Sequence, residues 1–304
     1  MRIIDCHSHL GDILYPDGGK LIAMKNVSMP DKFDIVTYNE TMLQRSFGLG
    51  EILYNLMKHW VTRVERARNA AATLENMAKS LDDNGIAYAV CLPIAPYLTY
   101  QDLAKARLED DRILPFTSID FSLGEQAISE VIRDIEDGAL GLKLHPIIQR
   151  KPLNDPLVSE VLQEFAKFNK PVLTHAGVSH YYLGLEKKLN QPANGKISNV
   201  ETLVKTFPDI KFIIGHAGLF QVGQVCERLK GLDNVWVDTS FQSPEIIRRL
   251  IKTFGPEKVV YASDWPYGYR EPALKTVKIA CRGDRELEEM VFYKNAAALL
   301  GLSD

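Results

Sequence analysis

The chain has 304 residues, 46% of them hydrophobic and 25% charged, which is the balance of a globular protein with a substantial core. A formal net charge of −3 without a long basic block argues against nucleic acid or an anionic membrane as a partner, and no apolar run reaches the about 18 residues of a membrane span. The four cysteines are scattered without a CxxC pair, and His7 and His9 interrupt the first apolar run, so neither a disulfide framework nor a signal peptide is expected. These features predict a soluble, cytoplasmic protein.

The first apolar run, "IIDCHSHLG", carries two histidines one residue apart. Successive side chains of a β-strand point to opposite faces, so Asp5, His7 and His9 would share one face. Two imidazoles that converge beside a carboxylate can begin a metal site. The rest of the chain must supply the remaining ligands.

Eight short apolar runs recur along the chain, rich in Val, Ile and Leu and without an alternating polar face. They span residues 2–6, 87–94, 112–119, 139–144, 171–175, 211–216, 235–240 and 258–263. Strands covered on both faces have this composition, and amphipathic helix-like segments lie between them. The alternation predicts an α/β fold, a TIM-like (β/α)8 barrel that forms a single domain over residues 1–304. A doubly wound open sheet is the alternative, but no GxGxxG opens a helix.

Several polar residues mark expected helix starts. Ser243 and Asp155 each precede a proline, which suits an N-cap followed by the first helical residue. Three further pairs fit the capping box, in which two side chains satisfy the first backbone N–H groups: Thr62 with Glu65, Ser122 with Glu125, and Ser198 with Glu201.

Residues 10–61 form a long insertion after strand one that does not follow the alternation of apolar runs and helix-like segments. The segment has no clean period and contains six aromatic residues. A loop of this length in a compact domain is usually functional. Because it leaves the C-terminal end of strand one, we predict a lid over the active site.

Polar residues follow the later apolar runs at the ends of the expected strands. Lys143 and His145 end the fourth run, His175 ends the fifth, His216 ends the sixth, and Asp264 follows the eighth. Barrel enzymes place their catalytic groups at this rim, and five of the seven histidines lie there. Packing alone does not explain that placement. Imidazoles and a carboxylate gathered at one rim suit a catalytic Zn²⁺.

These motifs resemble the metal-dependent amidohydrolase superfamily, and within it the amidohydrolase 2 branch. The matching elements run from residue 3 to residue 302 and are HxH at 7–9, "THAG" at 174–177, "GHAG" at 215–218, "SDWP" at 263–266 and the closing "KNAAALLGL". The resemblance implies a distorted (β/α)8 barrel, one or two divalent metals, and either hydrolysis or non-oxidative decarboxylation. By position it implies that His7, His9, His175 and Asp264 bind the metal. It also implies that His216 polarises the substrate or activates water.

The chemistry of these residues extends that assignment. Asp264 can bind the metal and accept a proton from water, which makes Asp264 and His216 the expected catalytic pair. In some members of the superfamily a lysine on the fourth strand, where Lys143 lies, is carboxylated and bridges two metals. Here it is either such a bridge, a cation for a substrate carboxylate, or a partner of Asp5, and we expect a free lysine and one ion per chain. His145 is either an extra ligand or part of the pocket wall.

The expected function follows from this rim. Trp265 and Arg270 come directly after Asp264, so they are expected to contact the substrate together with Lys143 and His145. The leading hypothesis is a metal-dependent hydrolase that acts on a lactone, ester or amide of a small polar or anionic molecule, and a homo-oligomer is possible. The alternative is a non-oxidative decarboxylase of an aromatic or enoic acid. A non-catalytic binding barrel is more remote, since every ligand position of the family is filled.

Overall fold

The computed structural model describes residues 1–30 and 50–302 of the chain. Within these residues, nine short parallel strands form two sheets, with the orders β1-β2-β3 and β4-β5-β6-β7-β8-β9. The strands are β1 (Ile4–Ser8), β2 (Tyr88–Cys91), β3 (Ile113–Pro115), β4 (Thr117–Ser118), β5 (Leu142–Leu144), β6 (Val172–Thr174), β7 (Phe212–Ile214), β8 (Val235–Asp238) and β9 (Val259–Val260).

Two junctions join these sheets into one barrel. At the first, only Phe116 separates β3 from β4. The N–H of Phe116 donates to Cys91 O of β2 at 3.0 Å, an ordinary hydrogen-bond length for a β-ladder. At the second, the chain that follows β9 returns to β1, where Cys6 N–H donates to Tyr261 O at 2.9 Å. Eight strand positions therefore surround one core, and the predicted (β/α)8 barrel is confirmed.

Helices cover the outside of the barrel. They are α1 (Gly50–Asn69), α2 (Leu74–Asn84), α3 (Tyr100–Glu109), α4 (Gln126–Glu136), α5 (Pro156–Phe165), α6 (Ile197–Thr206), α7 (Val222–Arg228), α8 (Pro244–Phe254), α9 (Arg270–Cys281), α10 (Arg285–Glu289) and α11 (Asn295–Leu300). None of the helices in the described ranges is long and apolar enough to cross a membrane. Inside the barrel, Ile4, Val90, Leu114, Leu173 and Ile213 pack with α11 in one buried cluster.

The helix starts were partly predictable. Ser243 and Asp155 are N-caps as expected, because each side chain accepts a hydrogen bond from the first turn of its helix. The three predicted capping boxes are wrong: Thr62 lies inside α1, Ser198 lies inside α6, and Ser122 lies in a 3₁₀ turn. A capping box does occur at Thr99, with Asp102 in the place usually taken by Glu or Gln.

The described part of the insertion reaches the C-terminal end of the barrel. Helix α1 already begins at Gly50, so the irregular segment is shorter than predicted. In the loop after β6, the N–H of His180 donates to Tyr54 Oη at 3.2 Å, and its carbonyl accepts from Thr62. The Tyr54 ring also lies 5.2 Å from that of Phe220, which follows β7. Residues 31–49 of the expected lid lie outside the described residues, and the lid as a whole stays a prediction.

Candidate metal centre

The structure brings His7, His9, His216 and Asp264 together in the buried interior at the C-terminal end of the barrel. Asp264 Oδ1 lies 3.3 Å from His7 Nε2 and 3.4 Å from His9 Nε2. The His216 ring stacks on that of His7, with centroids 4.6 Å apart, and lies 5.0 Å from the His175 ring. Two groups of possible ligand atoms within 4.8 Å of one another occur among the described residues: His7, His9 and Asp264, and His7, His216 and Asp238. His175 borders these groups without belonging to either.

A register shift in β1 turns the two histidines of the HxH motif inward. Ile4 and Cys6 already face the barrel interior, so an undisturbed strand would point Ser8 inward next. The pairing with β2 shifts between Asp5 and Ser8, which reverses the alternation. The expectation that Asp5 shares a face with the histidines is therefore wrong.

The second ring nitrogen of each HxH histidine has a partner that determines its role. His9 Nδ1 lies 2.9 Å from Leu92 O, which can only accept, so Nδ1 carries the proton and Nε2 keeps a lone pair. His7 Nδ1 lies 2.8 Å from Asp238 Oδ2, and the ionised carboxylate accepts from it, so the proton of His7 then lies on Nδ1. Metal-binding histidines usually donate their other N–H to a carbonyl or carboxylate like this.

Two buried atoms of the predicted ligands lack any hydrogen-bond partner. They are Asp264 Oδ1 and His175 Nδ1. His175 Nε2 lies 3.2 Å from Gly177 O, so the proton belongs on Nε2 and the orphaned Nδ1 has a bare lone pair. A buried acceptor without a partner is costly, and a bound ion is one of the standard explanations for it. Imidazole nitrogens and a carboxylate oxygen are suitable ligands for a divalent cation.

The backbone of this rim is held in unusual conformations. Residues 216–219 all have positive φ, at 55°, 43°, 83° and 51°, although only Gly218 tolerates this freely. Asp264 also has a φ of 60°. Two contacts hold the backbone of His216: its N–H donates to Asp238 Oδ1 at 2.8 Å, and its carbonyl oxygen accepts from Gln242 Nε2 at 2.6 Å. Such strain persists where surrounding contacts over-determine it, and it concentrates at functional sites.

Burial determines the protonation of the cluster. It lowers the pKa of Lys143 to about 7, although Asp264 and Asp238 act in the opposite direction. Burial, followed by the nearby Lys143, lowers the pKa of His175 to about 3. Burial raises the pKa of Asp264 well above its ordinary value, with Lys143 opposing. The cluster thus favours uncharged amines and imidazoles, which are the forms that bind metal. The Lys143 amine lies 3.1 Å from His7 Nε2, so its neighbour is His7 rather than Asp5.

His145 lies in the wall of the site rather than among the free donors. Its ring stacks on His175 with centroids 4.2 Å apart. Its Nδ1 accepts the N–H of Ile148 at 3.2 Å, which leaves the proton on Nε2, 3.2 Å from Tyr181 Oη. Both nitrogens are engaged, so the geometry favours the pocket-wall alternative over an extra ligand.

A small cavity of about 380 Å³, measured out to its mouth, opens onto the cluster. Its lining residues are His9, Ile13, Glu65, His145, His175, Ser179, Tyr181, His216, Leu219, Phe241, Asp264 and Tyr267. Sequence reasoning missed Glu65 and Ser179, and it missed Asp238 and Ser240 behind the wall. Asp238 lies within the seventh apolar run and is the last residue of β8, so a search for polar residues at strand ends would have found it. Glu65 lies within a helix and carries no such signal, and burial raises its pKa to about 7 despite the nearby Arg68.

The structure does not bring Trp265 and Arg270 to this cavity, which corrects the expectation that they contact the substrate. Both line a separate cavity between α2 and α9. Arg270 Nε donates to Asp5 Oδ2 at 2.9 Å, and both side chains are fully buried. A buried guanidinium needs a carboxylate partner, and Asp5 supplies it.

A family model described as amidohydrolase matches residues 4–302. The chain belongs to this amidohydrolase family. No curated protein matches the chain. The family and the His/Asp groups together support a divalent metal and an enzymatic role.

Several solved structures share the fold of this amidohydrolase at low sequence identity. One is a probable 2-pyrone-4,6-dicarboxylic acid hydrolase from Acinetobacter baumannii with citric acid bound, at 15% identity over 99% of this chain and 100% of that one, with a TM-score of 0.61. A second is a 5-carboxyvanillate decarboxylase from Novosphingobium aromaticivorans with bound manganese and a nitrobenzoic acid, at 16% identity over 99% and 97%, with a TM-score of 0.67. A third is a 2,6-dihydroxybenzoate decarboxylase from Rhizobium, at 14% identity over 99% of both chains, with a TM-score of 0.66.

Proposed function

We propose that this amidohydrolase hydrolyses a C–O or C–N bond of a small polar or anionic substrate, such as a lactone, ester or amide. The proposed ligands of a single zinc ion are His7, His9, His175 and Asp264. The observation that carries the proposal is Asp264 Oδ1, which is buried without a hydrogen-bond partner between the Nε2 atoms of His7 and His9. A nitrogen-rich ligand set favours zinc, whereas manganese prefers oxygen ligands. Manganese, which one of the similar structures contains, is the alternative metal.

The residues around the ligands are placed to handle a proton. When bound, the cation supplies a Lewis acid that polarises a carbonyl oxygen and makes water more acidic near neutral pH. Oδ2, the other oxygen of the Asp264 carboxyl group, lies 4.0 Å from His216 Nδ1. The second oxygen of this carboxylate can accept a proton from water while the first faces the proposed metal. His216 lines the cavity and can orient the attacking water.

The cavity limits the substrate to a small molecule. Its empty space of about 380 Å³ includes the open mouth, so the enclosed part is smaller still. The hydroxyl groups of Ser179, Tyr181 and Tyr267 can orient polar atoms, and Phe241 supplies an apolar wall. The cation favours an anionic group in the cavity, because the ligands that would hold it line the cavity wall. The bound citric acid and nitrobenzoic acid of two similar structures are in line with this proposal.

Non-oxidative decarboxylation is the second candidate. It is favoured by the likeness to two decarboxylases with TM-scores of 0.67 and 0.66, above that of the hydrolase. The cation would then hold the substrate carboxylate. Asp264 would protonate carbon after CO2 loss, or His216 would do so after first accepting a proton at Nε2. Hydrolysis remains the first candidate because both residues line the cavity beside the proposed ligands and can exchange a proton with water.

A cytoplasmic location is also proposed. The four cysteines are free and buried, as is usual in a reducing compartment. Cell fractionation of a tagged chain tests this location.

A paired screen separates the two reactions. Zinc-loaded protein is assayed against lactones, esters and amides in one arm and against hydroxybenzoates and enoic acids in the other, with Asp264→Asn as the blank. We expect metal-dependent hydrolysis in the first arm. CO2 release without hydrolysis of any member of the first arm would reverse the order of the candidates. Best turnover of neutral substrates would remove the claim of an anionic substrate.

A further inference from the structure

Asp238, the last residue of β8, contacts two histidines of the site through its two different oxygens. Oδ2 lies 2.8 Å from His7 Nδ1. Oδ1 accepts the N–H of His216 at 2.8 Å and both the N–H and the hydroxyl of Ser240, at 3.0 and 2.6 Å. All four residues are buried. One carboxylate therefore links a proposed metal ligand to the histidine beside it.

The protons around Ser240 can be placed one by one. Asp238 Oδ1 already accepts two backbone N–H groups, so it is not a protonated oxygen, and the Ser240 hydroxyl must donate to it. Ser240 has no second proton. Its oxygen lies 2.8 Å from His216 Nδ1, so this nitrogen must be the donor and must carry the ring proton.

The other nitrogen of His216 is then an acceptor. With the proton on Nδ1, Nε2 carries a lone pair. Among residues 1–30 and 50–302, no hydrogen bond to this Nε2 occurs, and the ring lies on the cavity wall. His216 is therefore prepared to accept a proton or hydrogen bond at Nε2 and not to donate one.

We propose that Asp238 and Ser240 are positioning residues that fix the tautomers of His7 and His216 separately. Asp238 Oδ2 keeps the proton of His7 on Nδ1 and leaves Nε2 for the metal. Asp238 Oδ1, acting through Ser240, keeps the proton of His216 on Nδ1 and leaves Nε2 for the substrate or water. The catalytic part of this proposal rests on the proposed function, whereas the tautomer assignments do not.

The two oxygens make the two effects separable by mutation. In Asp238→Asn, three donors retain the amide oxygen on the Oδ1 side, so the amide NH2 faces His7 Nδ1. His7 must then accept at Nδ1 and carry its proton on Nε2, where it blocks metal binding. In Ser240→Ala, His216 Nδ1 loses its acceptor, whereas Oδ1 keeps two N–H donors and His7 is unaffected. Ser240→Thr retains the hydroxyl and is the matched control.

The test uses histidine-selective ¹⁵N labelling of the full chain after removal of metal with a chelator. Couplings from the ring protons to the two nitrogens distinguish the tautomers, and the loss of signals in His216→Gln assigns that ring. Zinc affinity is measured in parallel by competition with a chromophoric chelator, and melting temperatures show that each variant is folded.

We expect each variant to change one measurement and leave the other unchanged. Ser240→Ala loses the pure Nδ1–H form of His216 and keeps its zinc affinity, whereas Ser240→Thr behaves as the wild type in both measurements. Asp238→Asn keeps the His216 tautomer and loses zinc affinity by roughly 10- to 100-fold, the usual cost of removing a partner of a metal ligand. An unchanged His216 tautomer in Ser240→Ala, or one pattern shared by both variants, would overturn the proposal. Neither measurement needs a substrate, so failure of the proposed hydrolysis would leave this result standing.

Discussion

The buried Arg270–Asp5 pair provides a sharp test of where the substrate binds. Arg270 donates to Asp5 at 2.9 Å and also to Ser8 and Ser80, each at 2.9 Å, and the Arg270 and Asp5 side chains have no exposed surface. Arg270→Met keeps most of the volume and leaves Asp5 with a buried, uncompensated charge. Breaking a buried pair in this way costs about 3–5 kcal/mol. At about 2 °C per kcal/mol for a chain of this size, the melting temperature should fall by about 6–10 °C.

The assay is thermal unfolding followed by circular dichroism, with steady-state kinetics on any substrate found in the paired screen. Arg248→Met is the matched control, because Arg248 pairs with Glu245 at 3.1 Å at the surface. Such exposed pairs contribute at most about 1 kcal/mol. The double variant Asp5→Asn/Arg270→Met should recover part of the loss, since it leaves no bare carboxylate.

The opposite result would refute this reasoning. A melting temperature for Arg270→Met within the range of the control, together with a raised KM, would mean that Arg270 binds substrate. In that case the expectation from its sequence position would be right, and its placement against Asp5 would have to change when substrate binds.

Three further predictions concern the site itself. Elemental analysis after mild purification should find about one divalent ion per chain, most of it zinc, and His7→Ala/His9→Ala should lack it; equal metal content in both would contradict the ligand assignment. Lys143 should be a free amine beside a single ion, and electron density for a branched side chain bridging two metals about 3.5–4 Å apart would show a carbamate instead. Burial raises the pKa of Glu65 to about 7, so the wild type loses stability when Glu65 ionises as pH rises from about 4.5 to about 7. Glu65→Gln has no such loss, so its melting temperature should rise relative to that of the wild type across this pH range. A difference that does not vary with pH would mean that water solvates Glu65 fully.

The barrel and most of the rim could be predicted from the sequence because both depend on local pattern. Runs rich in Val, Ile and Leu separated by amphipathic segments specify strands covered on both faces. In parallel sheets the carboxyl ends of all strands lie at one edge, so residues such as His175 and His216 had to be neighbours however far apart they are in the chain. The same rule applied to Asp238, which was overlooked.

Only the tertiary structure decided which polar side chains face the cavity. A one-residue shift in β1 reverses the alternation of side chains, so Asp5 turns outward to Arg270 while His7 turns inward. Glu65 reaches the cavity because α1, of which the pattern assigned residues 50–61 to an irregular insertion, packs over the barrel end. The tautomers of His7 and His216 depend on hydrogen bonds to residues more than 20 positions away. Sequence pattern determines which strand a residue ends, whereas register and long-range hydrogen bonds determine where its side chain points and which atom carries the proton.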